Sequence, residues 1–238
     1  MTMICHHLQT VTRRLASACV RAGRPVGSVQ LLAVSKTQPA DAVRDAWAAG
    51  QNAFGENYVA EAEAKMAALA DLRGELTWHL IGPLQANKTR VVAECFDWVH
   101  SVDRLRIAQR LSEQRPATLA PLQVCLQVNI SGEDSKSGVS PADLPALAEA
   151  VAALPRLKLR GLMVIPAPAD DLASQRTPLR ATHELLDDLN TRGLGLDTLS
   201  MGMSADLEAA VLEGATLVRI GTAIFGSRAA RAEVAPAG

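Results

Sequence analysis

The chain has 238 residues, with 24 basic and 25 acidic side chains and a formal net charge of −1. Such a balanced charge provides no broad field that would attract nucleic acid or an anionic membrane. Aromatic residues make up only 3% of the chain, which argues against the stacking platforms of single-strand nucleic-acid binders. No segment has the run of about eighteen apolar residues that a membrane span needs, and no secretory leader is recognisable. The sequence therefore predicts a cytoplasmic protein with a small-molecule ligand.

The cysteines and histidines indicate neither disulfides nor a metal site. Cys5, Cys19, Cys95 and Cys125 are widely spaced and form no Cys-x-x-Cys motif. Because a chain of this length does not need disulfides to be stable, we expect reduced thiols. His6, His7, His100 and His183 fit no metal-ligand spacing, and we predict no bound metal.

Helix and strand patterns alternate along the chain. An opening helix over residues 6–22 carries apolar side chains at three- and four-residue intervals and stops before a Gly-Arg-Pro segment. Eight strand patterns follow, over residues 30–35, 52–55, 77–81, 98–101, 122–130, 157–164, 198–200 and 217–220. Seven helix patterns separate them, over residues 40–49, 56–72, 86–95, 104–114, 141–154, 179–192 and 204–213. The proline-containing stretch 166–178 is predicted to be a loop.

Alternating strands and helices indicate parallel pairing, either in a closed barrel or in an open doubly wound sheet. An open dinucleotide-binding sheet normally carries Gly-x-Gly-x-x-Gly after its first strand, whereas here that strand ends in Ser35-Lys36-Thr37. The sequence therefore favours a single (β/α)8 TIM barrel with an extra N-terminal helix. We expect one domain over residues 1–228 and a flexible C-terminal tail over residues 229–238.

Lys36 is the first candidate functional residue. It is one of five lysines, and it alone ends a strand after an unbroken apolar run. Functional groups of parallel barrels lie at the carboxyl ends of the strands. Burial there would lower the pKa of the lysine and leave a neutral amine that can attack an aldehyde. A lysine that neutralises a bound phosphate is the alternative, and spacing leaves both open.

Two glycine-containing segments, residues 199–206 and 218–226, follow the last two strands. Each joins a strand end to a turn and a helix start, and barrels often bind phosphate at this position. Arg219 lies within the last strand, where a buried guanidinium needs an anion or an acceptor such as a pyridine nitrogen. An arginine that donates to such a nitrogen would keep it unprotonated and weaken the ring as an electron sink.

Two further features have competing interpretations. His79 either lines the mouth of the barrel or is a hydrogen-bonded core histidine. The charged segment 132–138 is either a lid or an ordinary solvated loop.

The motifs of the chain resemble those of the pyridoxal phosphate homeostasis protein family, also called the YggS or PROSC family. The resemblance covers nearly the whole chain and rests on residues 32–37, 54–58, 78–88, 128–131, 136–138, 161–163, 199–206 and 218–221. Leu80 and Ala86 stand where Phe and Ser are commoner in the family, which leaves the chemistry unaffected.

The resemblance implies a barrel like the cofactor domain of alanine racemase, the fold of type III pyridoxal 5'-phosphate (PLP) proteins. It implies a Schiff base on Lys36, phosphate contacts at the two glycine loops, Arg219 near the pyridine nitrogen and Asn57 beside the cofactor. Together with strand-end and loop neighbours, the predicted cofactor site comprises Lys36, Asn57, His79, Met163, Ser200, Met201, Ser204, Arg219, Gly221 and Thr222.

Members of this family are regarded as carriers or regulators of PLP without an established turnover, which predicts a non-catalytic protein of vitamin B6 and amino-acid homeostasis. A PLP-dependent racemase is the alternative, but it needs a second acid/base group opposite the lysine. The chain supplies only Tyr58 for this, and we expect the second domain of a racemase to be absent. An aldolase-type barrel would need carboxylates at several strand ends, where only Glu56 is found. We expect a monomer that delivers PLP to PLP-dependent apoenzymes.

Overall fold

The computed structural model describes residues 2–132 and 137–226, which form a closed barrel of eight parallel strands in chain order. The strands are β1 Gln30–Val34, β2 Ala53–Glu56, β3 Thr77–Leu80, β4 Trp98–Val102, β5 Leu122–Gln127, β6 Leu157–Met163, β7 Thr198–Ser200 and β8 Leu217–Ile220. Strand β8 closes on β1, with Gln30 opposite Leu217 and Ala33 opposite Ile220. The predicted barrel is confirmed.

Helices surround the barrel, and the first of them precedes β1, as predicted. They are α1 Met3–Arg21, α2 Ala40–Ala48, α3 Val59–Ala68, α4 Thr89–Cys95, α5 Leu105–Gln114, α6 Leu144–Ala152, α7 Leu172–Thr191, α8 Leu207–Leu212 and α9 Thr222–Phe225. Short 3-10 turns occur at Ala70–Leu72 and Ala86–Lys88.

The alternation of side chains along each strand divides the apolar residues into two layers. Ala33 and Phe54 belong to the main core between the strands and the helices. Leu32, Ala53 and Leu217 form a separate small cluster inside the barrel. Odd and even positions of β1 and β2 therefore face different environments.

Helix α1 packs along the outside of the barrel and supports the loops after β7 and β8. The Arg14 guanidinium contacts both carboxylate oxygens of Glu208, at 2.8 and 2.5 Å, and donates to the Ser204 carbonyl at 2.8 Å. His7 Nδ1 lies 3.1 Å from the carbonyl oxygen of Ile224. The N-terminal helix thus contacts both segments that were predicted to bind phosphate.

The predicted loop over residues 166–178 is wrong beyond residue 171, because α7 begins at Leu172. The Asp171 carboxylate accepts a hydrogen bond from the Ser174 backbone N–H at 2.9 Å and caps the first turn. Pro178 lies inside the helix, where it removes one backbone donor without ending the helix. Proline usually marks a helix boundary, which is why the sequence pattern suggested a later start.

Among the other elements, the ends of β2, α3 and β5 differ most from the prediction. Glu56 ends β2 rather than beginning a long helix, and α3 spans only Val59–Ala68. Strand β5 ends before Val128, which forms an isolated parallel bridge with Val139.

Within the described ranges, no helix is both long and apolar enough to cross a membrane. The same ranges contain no group of three or more His, Cys, Asp or Glu side chains that could hold a metal ion. All four cysteines are free thiols. The predicted tail over residues 229–238 lies outside the described residues, as do residues 133–136 of the segment considered as a lid.

Candidate functional site at the barrel mouth

Lys36 lies at the open mouth of the barrel. It lies two residues beyond the end of β1, on the side of the barrel where the carboxyl ends of the strands meet. Val34, Lys36, Gly221 and Thr222 line one pocket there, together with neighbouring loop residues. Lys36 is exposed, so the prediction that it is buried is wrong. The reason is that β1 ends at Val34, and Lys36 extends from a turn beyond the sheet.

The two glycine loops are joined to each other through the backbone of β8. The Arg219 N–H donates to the Gly202 carbonyl at 2.9 Å. Gly202 has φ +95°, and a Cβ at this position would lie 2.4 Å from the Cβ of Ala210, so only glycine fits. A Cβ on Gly221 would lie 3.1 Å from the Val34 carbonyl, which shows how closely this loop approaches the end of β1.

Arg219 is buried inside the barrel, and its acceptors among the described residues are all uncharged. Its Nη1 donates to the carbonyl and the hydroxyl of Ser200, at 2.5 and 2.8 Å, and its Nη2 donates to the Val164 carbonyl at 2.8 Å. Burial lowers the pKa of Arg219 from its usual value to about 10, so the guanidinium remains charged at neutral pH. The barrel thus holds a cation just below its mouth, as predicted from the position of Arg219 in β8.

A pair of buried histidines continues this network across the barrel. His100 Nδ1 lies 2.7 Å from Ser200 Oγ, and His100 Nε2 lies 2.9 Å from His79 Nδ1. Since Ser200 accepts from Arg219, most groups are satisfied when the serine donates to His100 and His100 donates to His79. Burial lowers the pKa of His79 to about 3 and that of His100 well below its ordinary value. Both rings are therefore neutral at pH 7.

The position of His79 decides between its two interpretations in favour of a core histidine. Its ring is fully buried and stacks on Trp98, with centroids 5.3 Å apart. His79 Nε2 is buried and has no hydrogen-bond partner among the residues that the structure describes. The ring supports the floor of the site, beneath Ser200 and Arg219, through His100.

Asn57 lies at the mouth, directly after β2. It lines a cavity with Ile81, Gly82 and Gln127, among others. Its Oδ1 atom is buried, and within residues 2–132 and 137–226 it has no hydrogen-bond partner. A Cβ on Gly82 would lie 2.2 Å from the Asn57 carbonyl oxygen, so glycine permits the close approach of these two segments. Asn57 therefore lines the mouth and carries an acceptor that the described residues leave unsatisfied.

Met163, Met201 and Ser204, which were also predicted to contact the cofactor, do not line the pocket at Lys36. The side chains of Met163 and Met201 are fully buried, and Met201 belongs to the main core. The Ser204 carbonyl accepts from Arg14 on the outer side of its loop. Their contacts with a cofactor stay predictions.

A buried ionic cluster behind the ends of β1 and β2 was not predicted. It consists of Glu56, Glu61 and Lys65, and we call it the Lys65 clasp. Lys65 Nζ lies 2.7 Å from Glu56 Oε1 and 2.7 Å from Glu61 Oε1. Only 6% of the Lys65 side chain is exposed. Burial raises the pKa of Glu56, and the Lys65 ammonium opposes this effect. The apolar spacing of Val59, Ala62 and Leu69 places residue 65 on the inner face of α3, and this signal could have revealed the cluster.

Comparisons with known proteins give the family of the chain. The family model described as alanine racemase, N-terminal domain, matches residues 7–229. The pyridoxal phosphate homeostasis protein of Pseudomonas aeruginosa is 64% identical over 228 residues, which cover 96% of this chain and 97% of the relative. The structure of PipY from Synechococcus elongatus with PLP bound is 41% identical, with a TM-score of 0.81 and coverage of 94% and 100%.

A more distant similarity extends to the fold of amino-acid racemases. The alanine racemase of Corynebacterium glutamicum is 19% identical, with a TM-score of 0.67, and the alignment covers 96% of this chain and 62% of the racemase. At this identity the similarity indicates a common barrel and nothing about activity. The matched family model and the close relatives place this chain in the alanine racemase N-terminal domain family, among the pyridoxal phosphate homeostasis proteins.

Proposed function

We propose that the protein binds PLP, attaches it to Lys36 as a Schiff base, and serves cofactor homeostasis rather than catalysis. The observation that carries this proposal is the pocket lined by Lys36, Gly221 and Thr222, which brings an accessible amine next to a glycine loop. The P. aeruginosa relative is named for PLP homeostasis, and the PipY structure contains PLP. Both similarities support the same ligand for this chain.

The polar groups at the mouth fit a small phosphorylated pyridine aldehyde. We assign its phosphate to the glycine loops, at Ser204, Gly221 and Thr222. The hydroxyl of Ser200 already bonds Arg219 and His100, so we assign Ser200 chiefly to holding Arg219 in place. The unused Asn57 Oδ1 fits a ligand group that carries a proton.

PLP, when bound, supplies an aldehyde for attachment and a ring that can accept electrons. Attachment is a condensation, in which the neutral Lys36 amine attacks the aldehyde carbon, a C=N bond forms and the carbonyl oxygen leaves as water. Arg219 is charged and can only donate, so it would keep the ring nitrogen unprotonated and the ring a weak electron sink. This arrangement suits holding the cofactor better than using it.

The groups around the mouth also favour a carrier over a racemase. Tyr58 is the one tyrosine of the chain, and 54% of it is exposed to solvent. His79 and His100 are neutral and fully buried below the mouth, and Glu56 bonds Lys65 on the outer side of the sheet. An exposed Lys36 leaves the cofactor open to water and to exchange, which a carrier for PLP-dependent apoenzymes requires. We further propose that it acts as a cytoplasmic monomer.

The proposal is tested by absorbance titration of the purified protein with PLP. We expect the wild type and the Lys158→Ala control to gain the visible band of a protonated Schiff base, because Lys158 is exposed on β6 and remote from the mouth. Lys36→Ala should show only the spectrum of free PLP. A band of wild-type intensity in Lys36→Ala would contradict the proposal.

Catalysis is tested on the same samples by following exchange of the α-proton of alanine and serine in deuterated water. We expect exchange no faster than with free PLP. Multiple turnovers that require Lys36 would contradict the carrier role and favour the racemase.

A further inference from the structure

The Lys65 clasp contacts the backbone on both sides of Lys36. Lys65 Nζ donates to the Ser35 carbonyl at 2.5 Å, and the Thr37 N–H donates to Glu61 Oε1 at 2.5 Å. A third hydrogen bond, from the Ser35 hydroxyl to Glu56 Oε1 at 2.6 Å, also holds the residue before Lys36. The residue before Lys36 and the residue after it are therefore both held by one ionic cluster.

The backbone that the clasp holds has an unusual conformation. Thr37 has φ +65°, and it is the only residue other than glycine with a positive φ in the described part of the chain. A β-branched side chain rarely adopts this conformation, because its Cβ crowds the backbone. The Thr37 N–H donates to Glu61 in this conformation, so the clasp contacts the chain where its backbone is least favourable.

The clasp lies on the opposite side of the sheet from the pocket. Ser35 and Glu56 have the parity of the outward-facing residues Ala33 and Phe54. Lys36 instead lines the pocket with Gly221 and Thr222. The clasp therefore does not contact the space where a ligand would lie. It can act on a ligand only through the backbone of Lys36.

We propose that Glu56, Glu61 and Lys65 are positioning residues, which fix the backbone at Lys36 so that its amine points at the pocket formed with Gly221 and Thr222. This inference rests on the proposed attachment of PLP to Lys36. By holding residues 35 and 37, the clasp restricts the direction of the Lys36 Cα–Cβ bond and reduces the conformations that the amine must search. A cluster that served stability alone would have no need to hold both flanking peptides.

The decisive variant is Glu61→Ala, because Glu61 is the most exposed member of the clasp and its removal leaves the Glu56–Lys65 pair intact. Glu63→Ala is the matched control, a carboxylate on the same helix. The measured quantity is the second-order rate of Schiff-base formation when PLP is added. We expect the rate to fall about tenfold in Glu61→Ala and to stay at the wild-type value in Glu63→Ala.

Two further measurements separate positioning from folding. Hydrogen exchange of the Thr37 amide, measured without PLP, should accelerate in Glu61→Ala and remain slow in Glu63→Ala. Glu61→Gln keeps an acceptor oxygen for the Thr37 N–H, and we expect it to recover most of the rate. Should Glu61→Ala not fold, Glu61→Leu, which also lacks the acceptor, takes its place in both measurements. Schiff-base formation at the wild-type rate in a folded Glu61→Ala protein would overturn the positioning role and leave the proposed function intact. Failure of the wild type to form any Schiff base would overturn both.

Discussion

The barrel end contains two buried polar networks, and their cations differ in the charge of the groups that they bond. Inside the barrel, Arg219 is bonded only to neutral groups and is followed by two neutral histidines. Behind the sheet, Lys65 is bonded by two carboxylates. A cation with neutral partners retains attraction for an incoming acceptor or anion, whereas a cation with two carboxylates is already compensated. The inner network is thus built for a ligand, and the outer one for holding the backbone.

The largest expected effect is the loss of stability when Lys65, the cation bonded by two carboxylates, is replaced. Lys65→Met leaves the Glu56 carboxylate buried without its partner, and we expect the free energy of unfolding to fall by about 3–5 kcal/mol. Chemical denaturation at neutral pH measures this change. Lys158→Met, at an exposed lysine, is the control and should be nearly neutral. A fall in the free energy of unfolding below about 1 kcal/mol in Lys65→Met would show that Lys65 does not compensate a buried charge.

The inner network should respond to pH, because its histidines are buried in the neutral form. The pKa of His79 is about 3 in the folded protein and about 6.5 in the unfolded chain. The unfolded state therefore binds more protons between these values, and stability is complete above about pH 6.5 and is lost as the pH falls toward 3. The free energy of unfolding should decline by up to about 1.4 kcal/mol per pH unit for each histidine.

Comparison of two leucine variants isolates this contribution. His79→Leu should show a shallower decline in stability between pH 6.5 and pH 5 than the wild type, by about 1 kcal/mol per pH unit. His6→Leu, at an exposed position of α1, should leave the slope unchanged. Equal slopes in all three proteins would mean that folding does not lower the pKa of His79.

The smallest expected effect concerns the support of the ligand loops by α1. Arg14 is 38% exposed and Glu208 32%, so we expect Arg14→Ala to cost at most about 1 kcal/mol of stability. It should nevertheless weaken PLP binding a few-fold, because Arg14 also holds the Ser204 carbonyl. Arg13→Ala is the control, since the hydrogen bonds of Arg13 stay within its own helix. Titration with PLP measures the affinity of each variant. Equal affinities of Arg14→Ala and Arg13→Ala would show that α1 does not support the ligand loops.

The barrel could be predicted from the sequence because each of its strands and helices has a pattern within its own residues. The apolar residues of each strand and each helix recur with the period of that element. Eight strands that alternate with helices are compatible with only a few chain topologies. The start of α7 was missed because Pro178 imitates a boundary, while the actual signal is the cap at Asp171. Local patterns also placed Arg219 and the two glycine loops at the mouth, since each closes a strand.

The parts of the site that were missed depend on contacts between distant residues. His100 and Ser200 are 100 residues apart and meet only because β4 and β7 face each other across the barrel. Lys36 is exposed because β1 ends at Val34 and a turn follows, and the apolar run of residues 31–35 does not show where the strand ends. The Lys65 clasp was the exception, since the helical spacing around residue 65 indicates burial.

The most direct test of the account is to locate PLP on the chain. The protein would be incubated with PLP, reduced with borohydride to convert any Schiff base to a stable amine, digested and analysed by mass spectrometry. We predict one pyridoxyl group per chain, on the peptide that contains Lys36. Stoichiometric labelling of another lysine with Lys36 unmodified, or no labelling at all, would contradict the central claim.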